Sequence, residues 1–380
     1  MFKSKMFKSK KFNNAIIKLS VICSIFSTAV GFADDISHAT IVRLSPELKL
    51  WQGDTTSATA QPQVIEKDGC FYNNTSEDRW HHLTHALQIF WITKTTWNEY
   101  YTADVEKDWV KKDPVLPNSL DLNLQWIGHA SFLMQTNNFN ILTDPIFGDL
   151  NPVLYPRKTP VGITPEQLPK IDFVVISHNH HDHLDEASMC KLKAHQPFML
   201  VPAGLKKWFT ARGFKHVIEN KWWQINKFTR DGKEIEFTFV PAEHWSGRGL
   251  DPHQSLWGGW IIKTNGKTLY FAGDTAFNAA HCAAIKACAG TPIDYALLPI
   301  GPCETRDLMK HSHVSAEEAL QVFQLIEAKT FVPMHWGTFR LGPDTFDDPM
   351  KRLDAAWAKQ LGSLSGKTLC KFKFGERKQL

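Results

Sequence analysis

Of 380 residues, 43 are Lys or Arg and 39 are Asp or Glu, a balance of +4, and 43% are apolar, a composition that excludes a disordered chain. No apolar run reaches the ~18 residues of a membrane span, so a polytopic membrane protein is excluded as well. The length allows one large or two medium domains with a substantial core.

Residues 1–33 read as a targeting segment: a Lys-rich start, an apolar stretch from Leu19 to Val30, and small residues at Gly31 and Ala33 that suit cleavage before Asp34. The competing reading is a membrane anchor, but the apolar stretch is short and broken by Ser20, Ser24, Ser27 and Thr28. Removing the segment's six lysines takes the balance from +4 to −2. The basic pI of about 8.5 therefore belongs to the leader and is no evidence for nucleic-acid binding. Export to the periplasm or beyond is expected, with membrane association open. In an oxidising compartment Cys70, Cys190, Cys282, Cys288, Cys303 and Cys370 could pair or remain buried thiols.

Residues 34–78 are polar and read as an exposed leader, and residues 79–112 as an aromatic helical segment, so that 34–120 precede the main domain. Trp80, Leu83, Leu87, Phe90 and Trp91 follow a helical stripe. The stripe suits a helix packed on the main domain or, since Trp favours membrane interfaces, a lipid-facing one. His81, His82 and His85 lie on it and read as surface residues.

The main domain is expected over 121–380. Short strands at 122–127, 131–136 and 139–143 are punctuated by Gly128-His129 and Asn137-Asn138, and a buried strand occupies 171–177. A helix capped by Asp185 follows, then strand 198–201, helix 203–212, and strands 234–240, 256–263 and 267–272. Helix 277–288, strand 294–298, helix 315–327 with a Ser315/Glu318 capping box, and strand 330–333 complete the series. Two blocks of strands, each followed by helices, predict an α/β fold of two packed sheets with helices outside.

The chemistry concentrates in Ser177-His178-Asn179-His180-His181-Asp182-His183-Leu184-Asp185. At the mouth of a strand the chain is still extended, so His178 and His180 face the same side. The turn that follows brings Asp182 and His183 to a second position. Imidazole and carboxylate without thiolate suit Zn²⁺, Fe or Mn. A His-rich surface tract is the bland alternative. Against it, His244, Asp274 and His335 each stand just past a β run, where strand-end loops gather.

HxHxDH followed by separated His, Asp and His resembles the metallo-β-lactamase superfamily, whose fold is an αβ/βα sandwich. WIGHAS (126–131), LTDPIF (142–147), SHNHHDHLD (177–185), PAEHW (241–245), FAGDTAF (271–277), HVSAEEA (313–319) and PMHWGTF (333–339) are similar to the N-acylphosphatidylethanolamine-hydrolysing phospholipases D and their bacterial relatives. Upstream, Phe71-Tyr72-Asn73-Asn74 is similar to that family's leader. The resemblance implies two Zn²⁺ per chain, one held by His178, His180 and His244, the other by Asp182, His183 and His335. Asp274 would bridge them and could assist proton transfer, and Asp144 would orient a ligand imidazole. It implies that His313 contacts phosphate and that His181, where the mammalian enzymes have Tyr, stands beside the substrate. The implied reaction is attack of a metal-bridged hydroxide on a phospholipid at a membrane surface, yielding phosphatidic acid and N-acylethanolamine. A homodimer stays open, while acyl-chain contacts and the family's dimer interface do not carry over. A lactonase or soluble phosphodiesterase on the same scaffold is the nearest alternative, and a non-catalytic exported metal-binding protein a more distant one.

Overall fold

The computed structural model describes residues 40–43, 48–54, 61–73, 107–248 and 251–380, with Thr84, Leu87, Gln88 and Trp91 among the intervening ones. The targeting segment 1–33 with its expected cleavage point, and His81, His82 and His85, lie outside the described residues. Leu87 and Trp91 are helical and exposed, so this part of the aromatic stripe does not pack inward.

Four strands come first: β1 Thr40–Arg43, β2 Leu48–Asp54, β3 Ile65–Lys67 and β4 Cys70–Tyr72. Next are β5 Asn123–Gly128, β6 Ser131–Thr136, β7 Phe139–Thr143, β8 Phe173–Val175, β9 Phe198–Pro202 and β10 Val217–Asn220. Then follow β11 Gln224–Arg230, β12 Lys233–Val240, β13 Gly247–Arg248, β14 Asp251–Pro252, β15 Gly259–Thr264 and β16 Lys267–Phe271. The last are β17 Tyr295–Pro299, β18 Thr330–Met334, β19 Thr368–Leu369 and β20 Arg377–Gln379. Among the described residues one sheet has nine strands in the order β1-β2-β11-β12-β15-β16-β17-β18-β19, and the other seven in the order β10-β9-β8-β7-β6-β5-β20. The β6–β7 turn places Asn137 and Asn138 both at positive φ, as a two-residue hairpin requires.

The alternation of side chains along each strand builds the layers. Phe173 and Val175 of β8 join the core between the sheets, where Phe173 meets Phe228 and Phe237 at ring separations of 4.6 and 5.2 Å. Val174 and Ile176 face the other way, into a second core with Met189 and Leu192 of the helix Glu186–Leu192 and Phe209 of the helix Lys206–Ala211. Being covered on both faces, β5, β6 and β7 are buried along their whole length. Each fully buried Phe contributes about 1.5–3 kcal/mol to this layering. The Asp185 cap and the Ser315/Glu318 capping box both form.

The structure differs from the reading of 34–78 as an exposed leader. β2 pairs antiparallel with β11 over seven residues, and Leu48, Leu50, Cys70 and Phe71 are buried. β10 and β11, in a stretch where the sequence showed no strand, give β2 its partner and extend both sheets. All six described cysteines are free, which matches buried thiols rather than disulfides for Cys70, Cys282 and Cys303.

Candidate metal centre

Strands β7, β8, β12, β16 and β18 all deliver their functional residues just beyond their C-terminal ends. The ladders make β12, β16 and β18 run in one direction, and β7 and β8 likewise within their own sheet. Asp144, His178, His244, Asp274 and His335 thus arrive at one edge of the sandwich. Asp144 and His335 sit at φ 31° and 62°, a conformation that non-glycine residues rarely adopt and that tertiary contacts hold here. Gly273, at φ 61°, lets the Asp274 loop pass Ser177, whose side chain a Cβ would strike.

Two groups of nitrogen and oxygen atoms converge. In the first, His180 Nδ1 lies 2.8 Å from His178 Nε2 and 3.2 Å from His244 Nε2. In the second, Asp182 Oδ2 lies 3.5 Å from His183 Nε2 and 3.4 Å from His335 Nε2. Asp274 stands between them. Its Oδ2 is 3.1 Å from His183 Nε2 and 3.9 Å from both His178 Nε2 and His244 Nε2, while its Oδ1 is 3.1 Å from His335 Nε2.

The far ring nitrogens of His178, His183, His244 and His335 are held from behind, which sets their tautomers, while His180 Nε2 has no such partner. His183 Nδ1 meets Asp144 Oδ2 at 2.7 Å, and Asp144 Oδ1 accepts the Ser177 amide at 2.7 Å. His178 Nδ1 meets Ser177 Oγ at 2.9 Å, His244 Nδ1 the Ser312 carbonyl at 2.7 Å, and His335 Nδ1 the Gly301 carbonyl at 2.9 Å. In front, the buried atoms His183 Nε2, His335 Nε2 and Asp274 Oδ1 make charge contacts but none aligned as a hydrogen bond. Leaving such groups unsatisfied costs about 1–3 kcal/mol each, a cost that a cation taking their lone pairs removes. The donor set fits a metal centre.

Electrostatics agree. Burial and the neighbouring imidazoles hold His178 and His244 well below the usual histidine range, and burial takes His180 down to about 3, so all three are neutral and able to donate a lone pair. Burial opposes ionisation of Asp182 and Asp274, but His183 and its neighbours outweigh it and hold both carboxyls well below their usual range. His313 Nδ1 is 3.7 Å from Asp274 Oδ2, and burial pushes its pKa down to about 4. His181, by contrast, is exposed and joins none of these groups.

Three features escaped the sequence reading. His129, from the β5–β6 turn, lies with its Nε2 3.0 Å from Asp182 Oδ2 and its ring 3.9 Å from that of His335. Its signal was the Gly-His pair at a strand end. Arg248 Nη1 donates to the Asn179 carbonyl at 3.1 Å and to the Leu184 carbonyl, pinning the His-rich loop. Asn73 Nδ2 donates to the His244 carbonyl at 2.8 Å, so the upstream segment braces a candidate ligand.

A family model described as a beta-lactamase superfamily domain matches residues 139–336, just over half of the chain. The chain belongs to this superfamily, and its two-sheet sandwich is the metallo-β-lactamase fold. It is 36% identical over 232 residues to N-acyl-phosphatidylethanolamine-hydrolyzing phospholipase D 1 of Caenorhabditis elegans, covering 57% of this chain and 64% of that one. It is 34% identical to the mitochondrial N-acyl-phosphatidylethanolamine-hydrolyzing phospholipase D of Saccharomyces cerevisiae, covering 61% of this chain and 51% of the relative. The match thus spans less than two thirds of either relative. A metal-dependent hydrolase of Koribacter versatilis is 33% identical, over 57% of this chain and 85% of its own. Among solved structures, isothiocyanate hydrolase from Delia radicum gut bacteria aligns with a TM-score of 0.50 at 16% identity, over 68% of this chain and 98% of that one. The protein is a member of the beta-lactamase superfamily with His and Asp groups placed to hold metal.

Proposed function

We propose that the chain is a phospholipase D that hydrolyses N-acylphosphatidylethanolamine-type lipids with two Zn²⁺ per molecule. The observation that carries the reading is the placement of Asp274 between the two ligand groups, on a chain similar to two phospholipases of that name. His178, His180 and His244 would hold one ion, Asp182, His183 and His335 the other, and Asp274 would touch both. Bound Zn²⁺ supplies Lewis acidity and a water of lowered pKa.

The protein's own residues orient and balance charge. Asp144 fixes the His183 ring, and the Ser312 and Gly301 carbonyls fix His244 and His335, so the donors need no rearrangement when substrate arrives. His313, neutral and half-buried, presents Nδ1 beside Asp274 and would hydrogen-bond a phosphoryl oxygen. His181 at the exposed rim would meet the head group. In the overall reaction water adds to phosphorus, the bond from phosphorus to the acylethanolamine oxygen breaks, and that oxygen leaves with a proton. The products are phosphatidic acid and N-acylethanolamine.

The substrate would be met at a membrane surface after export, with the mature chain starting at Asp34, and N-terminal sequencing of exported protein tests that start. Mass spectrometry of N-acylphosphatidylethanolamine incubated with the protein and zinc tests the activity. Equimolar release of the two products is expected. Turnover of a lactone or a soluble phosphodiester with no N-acylethanolamine released from lipid would assign the chain to another hydrolase of the superfamily.

A further inference from the structure

The loop between β7 and β8 carries the most exposed large apolar side chain among the described residues: Val153 is 79% exposed, and its neighbour Leu154 is 43% exposed. From Leu150 to Pro156 the loop holds no charged residue. Its tip is closed on itself. Asn151 and Tyr155 exchange backbone hydrogen bonds at 3.3 and 2.9 Å, and Asn151 Oδ1 accepts the amides of Val153 and Leu154 at 2.9 and 2.8 Å.

The base is anchored against the metal centre. Arg157 donates from Nη2 to the Ile127 carbonyl at 2.9 Å and from Nη1 to the Ile146 carbonyl at 3.2 Å. The Lys158 amide donates to the Thr338 carbonyl at 2.8 Å, and Thr338 Oγ1 accepts the amide of His129, the residue that meets Asp182. Phe277, three residues past Asp274, is also exposed.

We infer that the Asn151–Tyr155 tip is a lipid-insertion element that seats the metal centre on a bilayer, with Val153 and Leu154 entering the acyl boundary; this rests on the phospholipid reading above. Apolar side chains alone would suit any sticky surface, but the backbone argues for lipid. Entry into hydrocarbon requires that amides be satisfied within the protein. Here Asn151 bonds the amides of the two residues that would enter, so the tip can leave water without stranding them. A short uncharged tip gives shallow, reversible attachment of the interfacial kind.

The test is flotation of the zinc-loaded protein with vesicles of pure phosphatidylcholine, which lack both net charge and cleavable substrate. V153D/L154D should bind at least about tenfold more weakly, with metal content and thermal unfolding unchanged, and V153W should bind more tightly. Equal flotation of V153D/L154D and the parent protein overturns the inference. So does loss of a dimer, by analytical ultracentrifugation, with vesicle binding intact. Because flotation needs no turnover, the two ideas fail separately. Flotation lost in V153D/L154D without N-acylethanolamine release by the parent protein sinks the substrate reading alone. Release by the parent protein with unaltered flotation sinks the loop alone.

Discussion

His129 Nε2 lies 3.0 Å from Asp182 Oδ2 inside a site where both residues are shielded from bulk water. Asp182 already faces His183 and His335, so this contact fixes which carboxylate oxygen turns toward the ligand group. Burial lowers the His129 pKa to about 3, so the ring is neutral and donates a single proton to Asp182.

His129→Phe keeps a ring and removes the donor. Groups that orient a ligand from behind are worth roughly 10–100-fold in metal affinity or activity. A loss of that size in zinc affinity is expected by competition with a chromogenic chelator, with restoration in part by His129→Gln. Unchanged affinity in His129→Phe would show that Asp182 needs no such support.

Asp274→Asn retains the shape of the central carboxylate and removes its charge. The residue faces five of the site's histidines, His178, His183, His244, His313 and His335. Loss should exceed the roughly 10–100-fold typical of a supporting residue. Elemental analysis should show metal depleted, and chelation of the parent protein should lower its unfolding temperature as any ligand of the folded state does on removal. Full activity with a full metal complement in Asp274→Asn would refute the bridging role.

His313→Ala separates substrate contact from metal binding. The ring lies 3.7 Å from Asp274 but outside both ligand triads. Turnover of lipid is expected to fall by about 100-fold, the scale of a lost transition-state donor, while both metals stay bound. Metal loss in parallel with activity would make His313 a ligand instead.

Metal uptake should expel protons. In the metal-free protein burial works against the imidazolium of His335, yet Asp274 and Asp182 raise its pKa from 6.5 to about 9. His183 is raised well above its usual value in the same way, against its own burial. These cations stabilise the metal-free fold fully below pH 6.5, and that contribution is lost as pH rises through about 9 for His335. Ligation needs neutral rings, so zinc affinity should climb over the same window while metal-free stability falls. Calorimetry in buffers of different ionisation enthalpy should detect proton release at pH 7, and binding without release would contradict these protonation states.

Much of the site was legible because metal chemistry restricts residue type and strand geometry restricts spacing. His178 and His180 two apart at a strand mouth, Asp182 and His183 after the turn, and His244, Asp274 and His335 past later strands all converge as their positions imply. Asp144 was readable as a supporting carboxylate only through resemblance, and the structure adds the contact with His183 Nδ1 that gives it that place. The two-sheet layering was legible too, since β5 to β9, β12 and β15 to β18 carry apolar runs bounded by turns.

What only the tertiary structure decided involves partners far apart in the chain. β2 reads as polar leader because Leu48 and Leu50 are the two of its seven residues that are buried, and it becomes a strand by pairing with β11, about 170 residues later. Asn73 looked like part of a tail until its amide reached the His244 carbonyl. His129 carried no ligand spacing, and its role depends on a turn brought against Asp182 by the β5–β6 ladder. Val153 and Leu154 were ordinary aliphatic residues in a loop, and their exposure beside the metal centre follows from how Arg157 and Lys158 anchor its base. Sequence determines which atoms can bind metal and how strands alternate, because both depend on residues within a few positions. Which ring nitrogen faces the centre, and what supports it from behind, depends on hydrogen bonds that exist only once the two sheets have packed.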